Sequence, residues 1–175
     1  VQIGSLSPAQ MAAITPAQMQ WLSPAQISVL SPQVISLFSP EQSSALTPVQ
    51  VASLSPAQVN VMTPQQWRAM APVQLQALQA LQIGALQAQQ LNALTPAQIQ
   101  SLAPLQWQAL TPTQVAALNP TQWQVLTPAQ WSALRADHIV VLNTPQLQAL
   151  RPELIAAFNP TQINALQPNQ IIVLQ

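Results

Sequence analysis

The chain contains no cysteine, which removes disulfides, thiolate nucleophiles and thiolate metal ligands in one step. Charge is almost as scarce: 175 residues hold three arginines (Arg68, Arg135, Arg151), no lysine, and three acids (Glu41, Asp137, Glu153). Three cations spread over such a length provide neither a basic footprint for nucleic acid nor a field that steers an acidic substrate. Apolar runs are short, none approaching the roughly 18 residues that a membrane-crossing helix needs. No charged segment followed by an apolar one opens the chain as a secretory leader would. Disorder does not follow from the lack of charge, because 49% of the residues are apolar and disordered chains are depleted in such residues.

What the chain has in place of charge is a count. Of its 18 prolines, 17 fall on a multiple of eight, from Pro8 to Pro168, and only Pro145 does not. The whole sequence is one octapeptide repeat in about 22 copies, with the consensus Ser/Thr-Pro-Ala-Gln-apolar-x-Ala-Leu, as in Thr127-Pro128-Ala129-Gln130-Trp131-Ser132-Ala133-Leu134. An unbroken repeat predicts a quasi-one-dimensional array in which each unit touches its neighbours, so residues 1–175 are read as a single repeat domain. Its irregular octads lie at 79–94 and 135–150. Because Val1 falls within an octad, the sequence reads as a processed product or part of a longer tract.

Residue order within the octad predicts local structure. A Ser or Thr oxygen can accept from the free N–H groups of a first helical turn, proline suits the first helical position, and a Gln three residues after the cap can reach back to the cap's own N–H. Gln holds that position in 19 of 22 octads, the exceptions being Val34, His138 and Leu154. One continuous helix is excluded, since proline clashes with the preceding turn and forces the residue before it into extended geometry. A continuous helix would also rotate the apolar positions by about 80° per octad and leave no stripe to bury. In a short helix the two large apolar positions, such as Ile99 and Leu102, share one face. The reading is therefore all-α: a tight α-solenoid in which each octad is one short capped helix plus a turn. A β-solenoid is the alternative, disfavoured because apolar and polar residues do not alternate and proline sits where a ladder N–H is required.

One octad buries too little apolar surface to offset the entropy of ordering it, so coils must stack. The Leu row, from Leu6 to Leu174 with Ile14, Phe38, Met62, Met70 and Phe158 as variants, is the expected core. Two octads per coil would give a rod on the order of 110 Å long, and three about 70 Å, with layers about 10 Å apart.

Two departures stand out. Ala80 and Ala88 replace proline within a run of strong helix formers, so the short helices between Leu75 and Leu94 are expected to fuse. Further on, Arg135-Ala136-Asp137-His138 gathers charge and the single histidine, and Pro145 slips by one residue while Leu142 and Leu150 keep phase. His138 beside Asp137, with Ser132 or Thr144 near, has the residue types of a triad, but a thin solenoid offers no pocket to orient them. One histidine is also too few ligands for zinc. A solvated or capping role is expected for His138, and a helix-dipole role for Asp137, Glu41 and Glu153. Trp67, Trp107, Trp123 and Trp131 occupy the apolar position after Gln and are assigned to the core. Trp21 falls at the Ala position and is the one candidate contact residue. No catalytic residue, metal ligand or cofactor site is predicted.

Strings such as Leu110-Thr111-Pro112-Thr113-Gln114-Val115-Ala116-Ala117 resemble octapeptide tracts inside very large bacterial secreted or surface proteins of adhesin-like or haemagglutinin-like type. That resemblance implies an extracellular or cell-surface stalk or fibre. The same string is similar to the helix start of transcription-activator-like effectors, but their repeat is far longer and its base-reading residues have no counterpart here, which argues against DNA. The expected function is thus a non-enzymatic structural repeat that associates with itself head to tail into filaments, or with neighbouring repeats of a longer chain. The alternative is a binding scaffold that recognises a glycan or protein through its Gln, Ser and Thr rows. Neither nucleic-acid binding nor membrane insertion is expected.

Overall fold

The computed structural model describes residues 7–174, which form twenty-one short helices, α1 (Pro8–Ala12) to α21 (Pro168–Val173), with no strand among them. The all-α solenoid predicted from the octad is the observed architecture. Each helix runs four to six residues. Its start is set by the residue before proline, which is extended, as at Ser55 (φ −72°, ψ 157°), because the proline ring excludes helical geometry there. The Ser55 hydroxyl accepts from the Gln58 backbone N–H at 3.2 Å, and the Ser55 N–H donates to Gln58 Oε1 at 2.7 Å. Reciprocal caps of this kind recur along the rod. No residue among those described has a positive φ, so the turns dispense with glycine: the helix ends as the chain becomes extended at or just after the Leu position.

Fusion of the helices between Leu75 and Leu94 does not occur. Here α10 (Ala80–Ala85) and α11 (Ala88–Ala93) remain separate, and Leu86 between them is extended at φ −64°, ψ 134°. The Gln79 and Gln87 N–H groups are held by Gln82 and Gln90 Oε1 at 2.7 and 2.6 Å. Those two side chains are anchored in turn to the preceding coil, and the tertiary anchor ends the helices where proline is missing. At the second irregularity, α18 (Thr144–Gln148) is capped by Asn143, which keeps the octad phase, and Pro145 takes the second helical position. A first-turn N–H has no helical partner in any case, so the slip is tolerated.

Coil size, which the octad does not set, is larger than the two or three octads considered above. Each helix packs on the third one along, as α5 (Pro40–Ser44) does on α8 (Pro64–Ala69) and α8 on α11. Hydrogen bonds between layers join residues 25 to 31 apart. A coil is therefore about 28 residues, or three and a half octads, and each helix sits over the gap between two helices of the layer before it. About six coils span the described residues, which gives a rod on the order of 60 Å long at about 10 Å per layer.

Two apolar rows fill the interior. The row after Gln includes Ile27, Val59, Ile99 and all four in-phase tryptophans, each 0% exposed, and the Leu row lies beside it. Trp107, Trp123, Trp131 and Phe158 form a continuous aromatic run, with successive ring centroids 6.3, 5.9 and 4.7 Å apart at tilted to edge-on angles. Ser43 is the one polar residue in this row. Its hydroxyl and the indole N–H groups of the four tryptophans are buried with no partner among the described residues.

Candidate functional site

The described residues contain no cluster of three or more His, Asp or Glu side chains suited to a metal, and no helix long and apolar enough to cross a membrane. An open cleft of about 250 Å³ near the first coil is lined by Ile14, Thr15, Leu37 and Ser39 and gathers no titratable group. The feature that dominates the molecule is the glutamine row. Each interior Gln has two roles: Oε1 accepts from the cap N–H of its own helix, and Nε2 donates to the carbonyls that end a helix in the preceding coil. At Gln98, Oε1 lies 2.7 Å from the Thr95 N, while Nε2 lies 2.9 Å from the Trp67 O and 2.6 Å from the Met70 O. Gln66, Gln82, Gln114 and Gln162 repeat the pattern on residues 31 and 28 positions earlier. In the Gln98 rung the Trp67 carbonyl already accepts the Met70 N–H at 3.2 Å, and the Met70 carbonyl has no backbone partner among the described residues. A buried unpaired carbonyl costs about 1–3 kcal/mol, so one side chain satisfies groups in two layers and clamps them together.

The sequence showed half of this. Gln reaching back to its own cap follows from residue order; the bond to the layer below does not, because the 28-residue coil is not written in an eight-residue pattern. A signal was nevertheless present. Gln74, Gln82, Gln90 and Gln106 persist where the cap is Ala71, Gln79, Gln87 or Ala103 and returns no side-chain bond.

Two of the three exceptions to the row, His138 and Leu154, are repaired. His138 is fully buried, which corrects the solvated alternative and leaves the capping one. Its Nδ1 accepts from the Arg135 N–H at 3.3 Å, and its Nε2 lies 2.8 Å from the Leu110 carbonyl, placing the proton on Nε2. Burial pushes the imidazole below its ordinary range; the Leu110 carbonyl opposes this, the Arg135 cation adds to it, and the Asp137 charge opposes it weakly. Arg135 also donates to the Gln108 carbonyl and forks onto Asp137, with Nε–Oδ1 at 3.0 Å and Nη2–Oδ2 at 2.9 Å. That hydrogen bond holds the Asp137 carboxyl below the usual range. Glu41 is also lowered, first by its backbone N–H and then by Ser39, as a helix start favours. Where Leu154 stands in the row and supplies no donor, Arg151 Nη2 reaches the Leu126 carbonyl at 2.7 Å. Leu126 is the residue 28 before Leu154 that a Gln there would have met. Two of the three arginines thus stand in for the ladder.

The rod's two ends expose opposite chemistry. In the first coil Gln10, Gln18 and Gln26 cap Ser7, Thr15 and Ser23 through Oε1 at 2.8, 2.8 and 2.7 Å, but their Nε2 groups meet no carbonyl among the described residues. Gln10 and Gln18 are exposed and Gln26 half-buried. In the last coil Ile155, Ile163 and Ile171 are 41, 54 and 45% exposed, although Ile99 and Ile139 in the same row are 0% exposed. The carbonyls of Ile155, Phe158, Ile163, Leu166, Ile171 and Leu174 accept no side-chain amide among the described residues. Trp21, the predicted contact residue, is 78% exposed in the turn after α2 (Pro16–Met19), and its side chain makes no hydrogen bond among the described residues. In comparisons with protein-family models and with curated proteins, the chain matches neither.

Proposed function

We propose that this protein is a structural element: a stiff α-helical rod that serves as a fibre or stalk outside the cell or at its surface, extended by the stacking of like coils. The observation that carries this reading is the glutamine ladder, which runs along the rod and terminates in unused amide donors on one face and, on the other, in apolar side chains and helix-end carbonyls that receive no side-chain amide among the described residues. Solenoids that end freely cover such faces with polar capping repeats, and heterologous faces that do not close into rings build filaments. Neighbouring octads of a longer tract would extend the rod by the same stacking. The octad's resemblance to tracts in large bacterial surface proteins supports the location.

A binding scaffold is the second reading. It is weakened because some of the outward amides are already engaged with one another: Gln87 Nε2 donates to Asn60 Oδ1 at 3.2 Å, and Asn119 Nδ2 to Asn92 Oδ1 at 3.5 Å. Electron microscopy of the purified chain at low and high salt tests the first reading. Continuous fibres at both salt concentrations are expected from faces without charge; rods that never join, or fibres that dissolve on raising salt, would contradict it.

A further inference from the structure

We infer that copies of this chain join through a continuation of the glutamine ladder, with the amides of Gln10, Gln18 and Gln26 of one copy donating to the helix-end carbonyls of the last coil of the next. The inference rests on the structural reading above and specifies its interface: the partner is a second copy, the polarity is fixed, and the contact reproduces the one already present between coils.

The register follows from the ladder's own steps. A second copy set 22 octads further along keeps the eight-residue phase. Displaced by that amount, Gln10 falls 31 and 28 residues beyond Ile155 and Phe158, Gln18 beyond Ile163 and Leu166, and Gln26 beyond Ile171 and Leu174. Those are the separations of every interior glutamine rung, as from Gln98 to Trp67 and Met70. The three residues Ile155, Ile163 and Ile171 belong to the row that is fully buried wherever a coil lies above it. Stacking would cover them and give three free amides six carbonyls. The three Oε1 atoms are already committed to their caps, so each amide is oriented before the partner arrives and little side-chain freedom is lost on docking.

Among the described residues no other exposed apolar group has such a complement. Val49, Val73, Leu81 and Leu105 are exposed on the sides of the rod, each at the second position of its helix, with no matching donor or acceptor set opposite them.

Two variants separate the ends. Gln10→Glu/Gln18→Glu/Gln26→Glu keeps every Oε1 cap, since Glu also serves in a capping box, but turns each donor into an anion facing carbonyls. Ile163→Asp/Ile171→Asp places anions on the opposite face at positions already about half exposed, where folding does not depend on them, so the two altered faces also repel each other. Circular dichroism should show unchanged helicity in both. In sedimentation velocity, the parent chain is expected to form an open series of end-to-end species. Each variant alone should remain a single chain, with association weakened by about 100-fold or more. An equimolar mixture should give a 1:1 dimer and nothing longer, because each partner retains one working face. The Glu variant should regain assembly as pH falls through about 4, where its carboxyls protonate and can donate again. If the parent assembles and both variants assemble equally well, the ladder interface is wrong while a fibre formed by other contacts stands. If the parent stays a single chain at every concentration, the stacking-fibre reading fails and this interface with it.

Discussion

Gln98 in the middle of the rod and Gln18 in its first coil occupy the same octad position, and each caps its own helix. Gln98 is buried and bonds the Trp67 and Met70 carbonyls, while Gln18 is exposed and bonds nothing below it. Local sequence is nearly the same, Thr-Pro-Ala-Gln in both, so the difference is made by the neighbouring layer alone. Capping writes the short helix; the layer beneath turns the capping residue into a clamp. Stability in such an array is carried between coils more than within them.

The comparison can be broken most forcefully by Gln98→Glu. A carboxylate would then be buried against two carbonyls, and the variant is expected to lose about 3–5 kcal/mol at neutral pH, read as a lowered urea midpoint. Gln18→Glu should stay within about 0.5 kcal/mol of the parent. In the buried case the folded-state pKa is raised above the unfolded value, so the penalty is full above that raised value, fades as pH falls from there toward about 4.3, and is absent below it, where both states are protonated.

A smaller effect is expected at the repaired rung. Arg151→Met leaves the Leu126 carbonyl without its donor and should cost about 1–3 kcal/mol. Adding Leu154→Gln returns a donor at the regular position, so the double variant should recover most of the loss. Strict additivity of the two changes would show that Arg151 is not acting for the ladder.

Ser43→Ala removes a buried hydroxyl that has no partner and should raise the urea midpoint, by about 1 kcal/mol in stability. The smallest effect belongs to His138. Its folded-state pKa lies below 6.5 because the ring is buried and neutral, so the unfolded chain binds its proton first as pH falls. Stability is then full above about 6.5 and declines as pH drops from there toward the depressed folded value. His138→Gln should abolish that slope between pH 6.5 and 5; a slope unchanged in the variant would place the titration elsewhere.

Much of the fold could be read from the octad, for reasons visible in particular residues. Ser55-Pro56-Ala57-Gln58 carries every element of a helix start, and Trp67, Trp107, Trp123 and Trp131 fall in phase with the core row and are buried there. Coil size was not legible, because three and a half octads is a property of how short helices pack and half-octad offsets leave no mark on an eight-residue count. Fusion across Leu86 was a false expectation for a related reason: the helix formers of Ala80–Ala93, already interrupted by Gly84, are overridden by Gln82 and Gln90, whose amides hold the Val51, Leu54 and Met62 carbonyls of the layer below. The roles of Arg135 and Arg151 were hidden too, since each is defined by a carbonyl 27 or 25 residues back. Trp21 was legible as exposed, and nothing around it specifies what it would touch.

Side-chain amide hydrogen exchange, followed by NMR on dilute single chains, tests the ladder most directly. The fifteen buried glutamines from Gln42 to Gln170 are predicted to exchange their Nε2 protons far more slowly than Gln10 and Gln18, with the slow set running unbroken through Gln82 and Gln90. Interior amides that exchange as fast as those of Gln18 would mean that the coils are not clamped by glutamine, and the account of both the rod and its growth would fall.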